Sequence, residues 1–187
     1  MAPTLESQRL ILRPWRDEDV EPWVTMSADE RVMEFFPSTY DRAEAKAQAA
    51  RMRERLDRNG YGFWVLEVKD GLPFAGFIAL AEVPFDAHFT PALEVGWRLP
   101  YAAWGHGYAT EGARLALSFA SDRMNRTEVV SMTAAINLRS RRVMERLGMT
   151  REEADDFDHP RLAVGHRLRR HVLYRIGVRG PTTSKSD

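Results

Sequence analysis

Trp104-Gly105-His106-Gly107-Tyr108-Ala109-Thr110-Glu111 follows a strand-like segment and runs directly into Gly112-Ala113-Arg114-Leu115-Ala116-Leu117-Ser118-Phe119-Ala120. Glycines let the backbone approach a ligand with no Cβ in the way. The first amides of a helix have no intrahelical partner and sit at the positive end of its dipole. The stretch therefore reads either as an anion cradle that fits a pyrophosphate, or as two glycines shaping a strand-to-helix turn. Its neighbours decide between the two.

Immediately upstream, residues 93–98 form a strand with Leu93, Val95 and Trp97 on one face and Glu94, Gly96 and Arg98 on the other. A glycine in mid-strand marks a bulge or a place where another backbone or a ligand comes close. Downstream, residues 127–134 read as a β-branched strand, after which Asn137 caps a helix ended by Gly148. In that helix Ser140, Val143, Met144 and Leu147 fall on one inward face, so a lone hydroxyl is turned toward the interior.

Further out, residues 9–13 are a short apolar strand stopped by Pro14, and Asp17 is the expected cap of a helix burying Val20, Trp23 and Val24. A short helical turn carries Val32, Phe35 and Phe36. Asp41 then caps a longer helix to about Arg58, with Ala45, Ala49, Met52 and Leu56 as its apolar stripe and Asn59-Gly60 as its end. Residues 61–68 and 74–83 alternate around Asp70-Gly71 as a hairpin, and residues 149–158 and 169–178 supply two more strands around a loop containing His159-Pro160-Arg161. The expected fold is α/β: one domain over residues 1–178, with a mixed, mostly antiparallel sheet of about seven strands flanked by helices. The polar residues 179–187 are expected to be a disordered tail.

Lys+Arg and Asp+Glu both number 27. This balance gives no global field toward nucleic acid or an anionic membrane, so neither is expected as a partner. The absence of cysteine excludes disulfides, thiolate metal sites and a cysteine nucleophile, and the cytoplasm is the default location. The start of the chain has no secretory pattern, and no apolar run reaches membrane-spanning length. Asp155, Asp156, Asp158 and His159 match no strong metal spacing and read as a solvated acidic loop, so no metal is expected. His166 and His171, among Arg167, Arg169 and Arg170, read as a solvated strand edge.

The order of these features resembles the GCN5-related N-acetyltransferase (GNAT) superfamily, in particular its ribosomal-protein N-terminal (RimJ/RimL-like) branch, over residues 9–177. The superfamily signature is Gln or Arg, two residues, Gly, any residue, then Gly or Ala. Gly107 and Ala109 match its last two fixed positions, and Trp104 stands at the first, as in this branch. Asn137-Leu138-Arg139-Ser140 through Gly148-Met149 resembles the second signature. The resemblance implies acetyl-CoA as cosubstrate, held between splayed central strands. Its pyrophosphate would lie on the amides of Gly105, His106, Gly107, Tyr108 and Ala109 beside Thr110. The pantetheine would pair with Val95, Gly96 and Trp97 and bond Asn137. Arg98 reads equally as a phosphate ligand or as a solvated strand end.

An amine attacks a thioester only in its neutral form, so a base is useful. Glu94, on the glycine face, is the candidate, and an exposed strand carboxylate is the alternative. Many relatives carry a tyrosine acid where this chain has Met144, which cannot donate. Ser140 inherits that role or is a small packing residue. The leading acceptor is a protein N-terminal amine, followed by a polyamine, amino acid or aminoglycoside; a homodimer is a possible assembly. A non-catalytic acyl-CoA-binding module is the rival reading. The acceptor groove is expected near residues 30–40, 82–92 and 155–167.

Overall fold

Alternating apolar and polar residues build the sheet, and 3.6-residue apolar stripes build its covering helices. In the computed structural model, which describes residues 2–178, the elements are β1 (Leu5–Glu6), β2 (Leu10–Arg13), α1 (Val20–Ala28), α2 (Glu30–Met33), α3 (Arg42–Asn59), β3 (Phe63–Val68), β4 (Phe77–Glu82) and β5 (Leu93–Arg98). There follow α4 (Tyr108–Met124), β6 (Glu128–Ala134), α5 (Leu138–Arg146), β7 (Thr150–Arg151), β8 (Phe157–Asp158) and β9 (Arg170–Gly177). The sheet order is β1-β2-β3-β4-β5-β6-β9-β7, with β8 also on β9, and every pairing is antiparallel except β5 with β6.

Nine strands are described where about seven were expected. The two-residue β1 pairs Leu5 with Leu12 and is too short to carry a periodic signal. Residues 149–158 are not one strand. Arg151 and Asp156 pair with each other, the chain turns through Glu153–Asp155, and β7 and β8 meet β9 at separate places. Asp17 is not the cap of α1 either, since that helix begins only after Asp19. Asp17 is exposed beside Arg53, whereas Asp19 is buried and takes Arg13 Nη1 and Nη2 at 2.8 and 2.9 Å. The expected tail lies outside the described residues.

α3 begins as read. Asp41 accepts from the Glu44 N–H at 2.8 Å, Glu44 accepts from the Asp41 N–H at 2.9 Å, and the helix ends on Gly60 with φ 73°. The two sheet faces divide the helices between them. Ile78 and Leu66 meet α4, where a Cβ added to Gly112 would stand 2.8 Å from Ile78 Cγ1. Phe77, on the opposite face, packs on Trp23 of α1 with ring centroids 5.7 Å apart, and Trp23 Nε1 donates to the Ala45 carbonyl of α3. The sheet is thus enclosed by α4 on one side and by α1 and α3 on the other.

Candidate active site

β5 and β6 touch as a ladder at one position, Glu94 opposite Val130. The gap that opens beyond it belongs to a cavity of about 730 Å³. Its floor is the face carrying Phe77, Ala79 and Ala81 of β4 and Glu94, Gly96 and Arg98 of β5, which are matched in register. Met132, Ala134 and His171 continue it across β6 and β9. Phe35, Phe36 and Pro37, after α2, form one wall. His159, Arg161, Leu162 and Leu168 form the opposite one, and the glycine turn and α5 complete the lining.

The glycine turn has the backbone its sequence demands. Gly105 and Gly107 adopt φ of 82° and 81°, which only glycine takes without strain, and no side chain caps α4. The first amides of α4, on residues that line the cavity, therefore have neither an intrahelical nor a side-chain partner. The turn is held from far away in the chain. Arg9 donates from Nη1 to the His106 carbonyl at 3.1 Å and from Nε to Glu111 at 2.8 Å, while Ser7 Oγ donates to Glu111 at 2.7 Å. Burial opposes ionisation of Glu111, but the bonds from Ser7 and Arg9 outweigh it and hold its pKa below the ordinary value. Sequence reasoning missed Arg9, which has no local signature.

Glu94 is half-buried on the cavity floor. Removal from water pushes its pKa up to about 7, against a hydrogen bond from the Met132 N–H that favours the anion. At neutral pH it is thus divided between acid and base forms, as a proton acceptor requires. The exposed-carboxylate reading is incorrect for this residue. Asn137 is both a cap and a cavity residue: its Oδ1 accepts from the Ser140 N–H at 3.2 Å, and its Nδ2 donates to Thr133 Oγ1 at 2.9 Å and Ser140 Oγ at 3.1 Å. The Ser140 hydroxyl, already accepting from Asn137, keeps its own proton to donate.

Arg98 does not lie at a solvated strand end. It is buried with its guanidinium carbon 3.8 Å from the ring centre of Phe36 and 5.2 Å from that of Trp23, because α1 and α2 cover the end of β5. Burial lowers its pKa to about 10, which leaves it charged at neutral pH. Nor is His171 at a solvated edge. β9 lies between β6 and the short β7 and β8, and the His171 ring stands 4.9 Å from that of His159. Burial lowers both histidine pKa values, His159 to about 4 with help from His171 and Arg161, so both are neutral near pH 7.

All the predicted site residues border the cavity except Val95, whose side chain is in the core, and the exposed His106, whose ring stacks on Tyr108. The segments near 30–40 and 155–167 reach the cavity as walls. Phe85 touches His159, but residues 82–92 do not line it. The acidic loop is ion-paired, with Asp155 on Arg175, Asp156 on Arg151 and Asp158 on Arg169, while Asp158 stays exposed as a solvated loop residue. Arg139, Arg142 and Arg146 of α5 also line the cavity. Their spacing of three and four is a legible basic stripe that the reading of the helix for its apolar face passed over.

Comparison with known proteins agrees with this geometry. Residues 9–150 match the family model described as Acetyltransferase (GNAT) domain. The chain is 33% identical over 168 residues to FsC-acetyl coenzyme A-N(2)-transacetylase of Aspergillus fumigatus, covering 84% of this chain and 70% of that protein. Its fold is similar to a GNAT-family acetyltransferase from Bacillus anthracis, with TM-score 0.76, 20% identity and coverage of 94% and 98% of the two chains. It is also similar in fold to RimL, the ribosomal L7/L12 alpha-N-protein acetyltransferase, solved in complex with coenzyme A, with TM-score 0.74, 16% identity and coverage of 94% and 98%. The splayed parallel strands, the uncapped glycine-led helix and the match over residues 9–150 lead to one conclusion: the chain belongs to the GNAT acetyltransferase family and is an acetyl-CoA-dependent N-acetyltransferase.

Proposed function

We propose that this enzyme acetylates the primary amine of a small molecule, in preference to the protein N-terminus that the sequence motifs put first. The observation that carries this reading is a bridge across the acceptor side of the cavity. Arg167 Nη2 donates to the Glu34 carbonyl, joining the wall after α2 to the wall before β9. Arg161 Nη2 donates to the Pro84 carbonyl at 2.5 Å, which ties the wall before β9 to a segment outside the cavity lining. A free amine of modest size passes such a bridged mouth more readily than an extended polypeptide, which needs an open groove. The relative from Aspergillus fumigatus, named as an N(2)-transacetylase, supports the same reading.

The residues fit the coenzyme. The free amides after Gly107 suit a pyrophosphate, and a Cβ built on Gly96 meets nothing within 4 Å, which leaves room for an extended chain beside β5. Gly105 to Thr110 would hold the phosphates, the backbone of Val95 to Trp97 would pair with the pantetheine, and Asn137 would steady it through the second lone pair of its side-chain oxygen. When bound, the coenzyme supplies an acetyl group activated as a thioester. Glu94 takes the proton that the amine gives up as the new N–C bond forms. The Ser140 hydroxyl donates a hydrogen bond to the sulfur as the C–S bond breaks, so that the sulfur leaves as a hydrogen-bonded thiolate and takes its proton from water.

Thiol release with acetyl-CoA tests this, using polyamines, amino acids and aminoglycosides against short peptides with free N-termini. Faster release with a small amine is expected. Faster release with peptides would return the acceptor to a protein N-terminus, and binding of acetyl-CoA without release by any amine would leave a sensing module.

A further inference from the structure

Among the described residues two arginines are almost wholly buried, and they are treated differently. Arg13, 4% exposed, meets Asp19 with two nitrogens, Glu67 at 2.5 Å and the carbonyls of Pro14 and Pro73. Its charge is compensated within the fold. Arg98, 8% exposed, has no acid among its partners. Nη1 donates to the Met33 sulfur at 3.6 Å, a side-chain bond joins it to Tyr40, and Nε is buried with no partner at all. The ring centres of Phe77 and Tyr40, at 5.6 and 5.8 Å, join those of Phe36 and Trp23 around the guanidinium. Aromatic faces attract a cation but do not replace a counterion taken out of water. A buried guanidinium left in this condition is costly to the fold, and it lines the cavity.

The geometry points to Arg98 as the receptor for a carboxylate carried by the acceptor, so that the substrate is an amine that is also a carboxylic acid. Arg98 shares its sheet face with Glu94 and Gly96, and Phe77 lies beside it in register. That face is covered by α1 and by the segment after α2. α4, whose N-terminus is the phosphate cradle, packs on the opposite face through Gly112 against Ile78. An anion reaching Arg98 therefore comes from the acceptor side and not from the coenzyme's phosphates. Along the strand, Gly96 lies about 7 Å from Arg98 and about 7 Å from Glu94. An amine presented near Gly96 thus has the proton acceptor on one side and the guanidinium on the other. The planar fork of arginine favours a bidentate carboxylate in a dry site. The same charge disfavours polyamines and aminoglycosides, which carry only cations.

This inference rests on the small-molecule reading above, and the experiment separates their failures. Glycine, β-alanine, γ-aminobutyrate and L-lysine are each compared with their carboxamides as acetyl acceptors, with 2-aminoethyl phosphate as a differently charged anionic amine. The wild-type enzyme is expected to prefer the best carboxylate over its carboxamide by roughly 10- to 100-fold in kcat/KM. Arg98→Met is expected to abolish that preference through KM for the acid, to leave acetyl-CoA affinity unchanged, and to raise Tm, since a buried charge is replaced by an apolar chain of similar length. Equal use of acid and carboxamide would overturn the carboxylate assignment while leaving small-amine acetylation intact. Preference for 2-aminoethyl phosphate would also overturn it. Weaker acetyl-CoA binding in Arg98→Met would assign the residue to the coenzyme, and a lower Tm would assign it to the fold. Release with none of these amines but with peptides would defeat the small-molecule reading itself.

Discussion

The carboxylate of Glu94 accepts the backbone N–H of Met132 just beyond the one bridge, Glu94 to Val130, at which the two parallel central strands meet. The group read as the proton acceptor is therefore oriented by the neighbouring strand at the point from which the gap opens. Burial raises its pKa and that single N–H opposes the rise.

As the proposed proton acceptor, Glu94 should give the enzyme a defined pH dependence. With its pKa pushed up to about 7, the anion that accepts a proton is scarce below that value. Expressed per neutral amine, kcat/KM should rise about tenfold per pH unit below 7 and level above it. Glu94→Gln should remove this limb and lower kcat by about 10²- to 10⁴-fold. Stability should move the other way. Between the ordinary value of 4.5 and about 7 the folded chain binds more protons at this site than the unfolded chain, so stability is lost as pH rises through that window. Thermal melts should show Glu94→Gln more stable than wild type at pH 8, with the gap closed at pH 4.

Gly96 should tolerate a side chain structurally but not functionally. Because an added Cβ meets nothing within 4 Å, Gly96→Leu should fold while filling the space beside β5. Calorimetric titration is expected to show acetyl-CoA bound at least ~10-fold more weakly, at little cost in Tm. Unchanged affinity would place the pantetheine elsewhere.

Ser140→Ala removes a hydroxyl that accepts from Asn137 at 3.1 Å and leaves the cap bond from the residue-140 N–H to Asn137 intact. Acetyl transfer should slow by about 10- to 100-fold, with acetyl-CoA affinity nearly unchanged. Turnover at the wild-type rate would remove Ser140 from the mechanism.

Arg9→Met should act on the coenzyme alone. It deletes the bonds to His106 and Glu111 that hold the glycine turn, so KM for acetyl-CoA should rise several-fold while KM for the amine stays constant. Steady-state kinetics with each substrate varied in turn will distinguish this from a general loss of folded enzyme. A parallel rise in both constants would make Arg9 a stability residue.

What could be read in the sequence was whatever local chemistry determines. The glycine turn, the Asp41 cap and the Asn137 cap are set by residues a few positions apart, and each stands where it was expected. The apolar alternation of residues 93–98 likewise put Glu94, Gly96 and Arg98 on one face. Relationships between distant residues were not legible. A terminal arginine on a strand normally reaches water. Arg98 does not, because Trp23, Met33 and Phe36 arrive from 60 to 75 positions earlier in the chain. Arg9 braces a turn about 100 residues away, and β1 exists only because Leu5 finds Leu12. His171 belongs to the same class, since its burial depends on where β8 folds back.

The single bridge between β5 and β6 also bears on the survival of the molecule. Most sheets are weakest at their edges, whereas this one carries its seam in the middle, with β1 to β5 on one side and β6 to β9 on the other. An extended, amide-bearing ligand in that seam, as proposed for the pantetheine, would join the two halves, and anything that binds only the folded state stabilises it as its concentration rises. Acetyl-CoA bound there should therefore raise Tm as its concentration is raised.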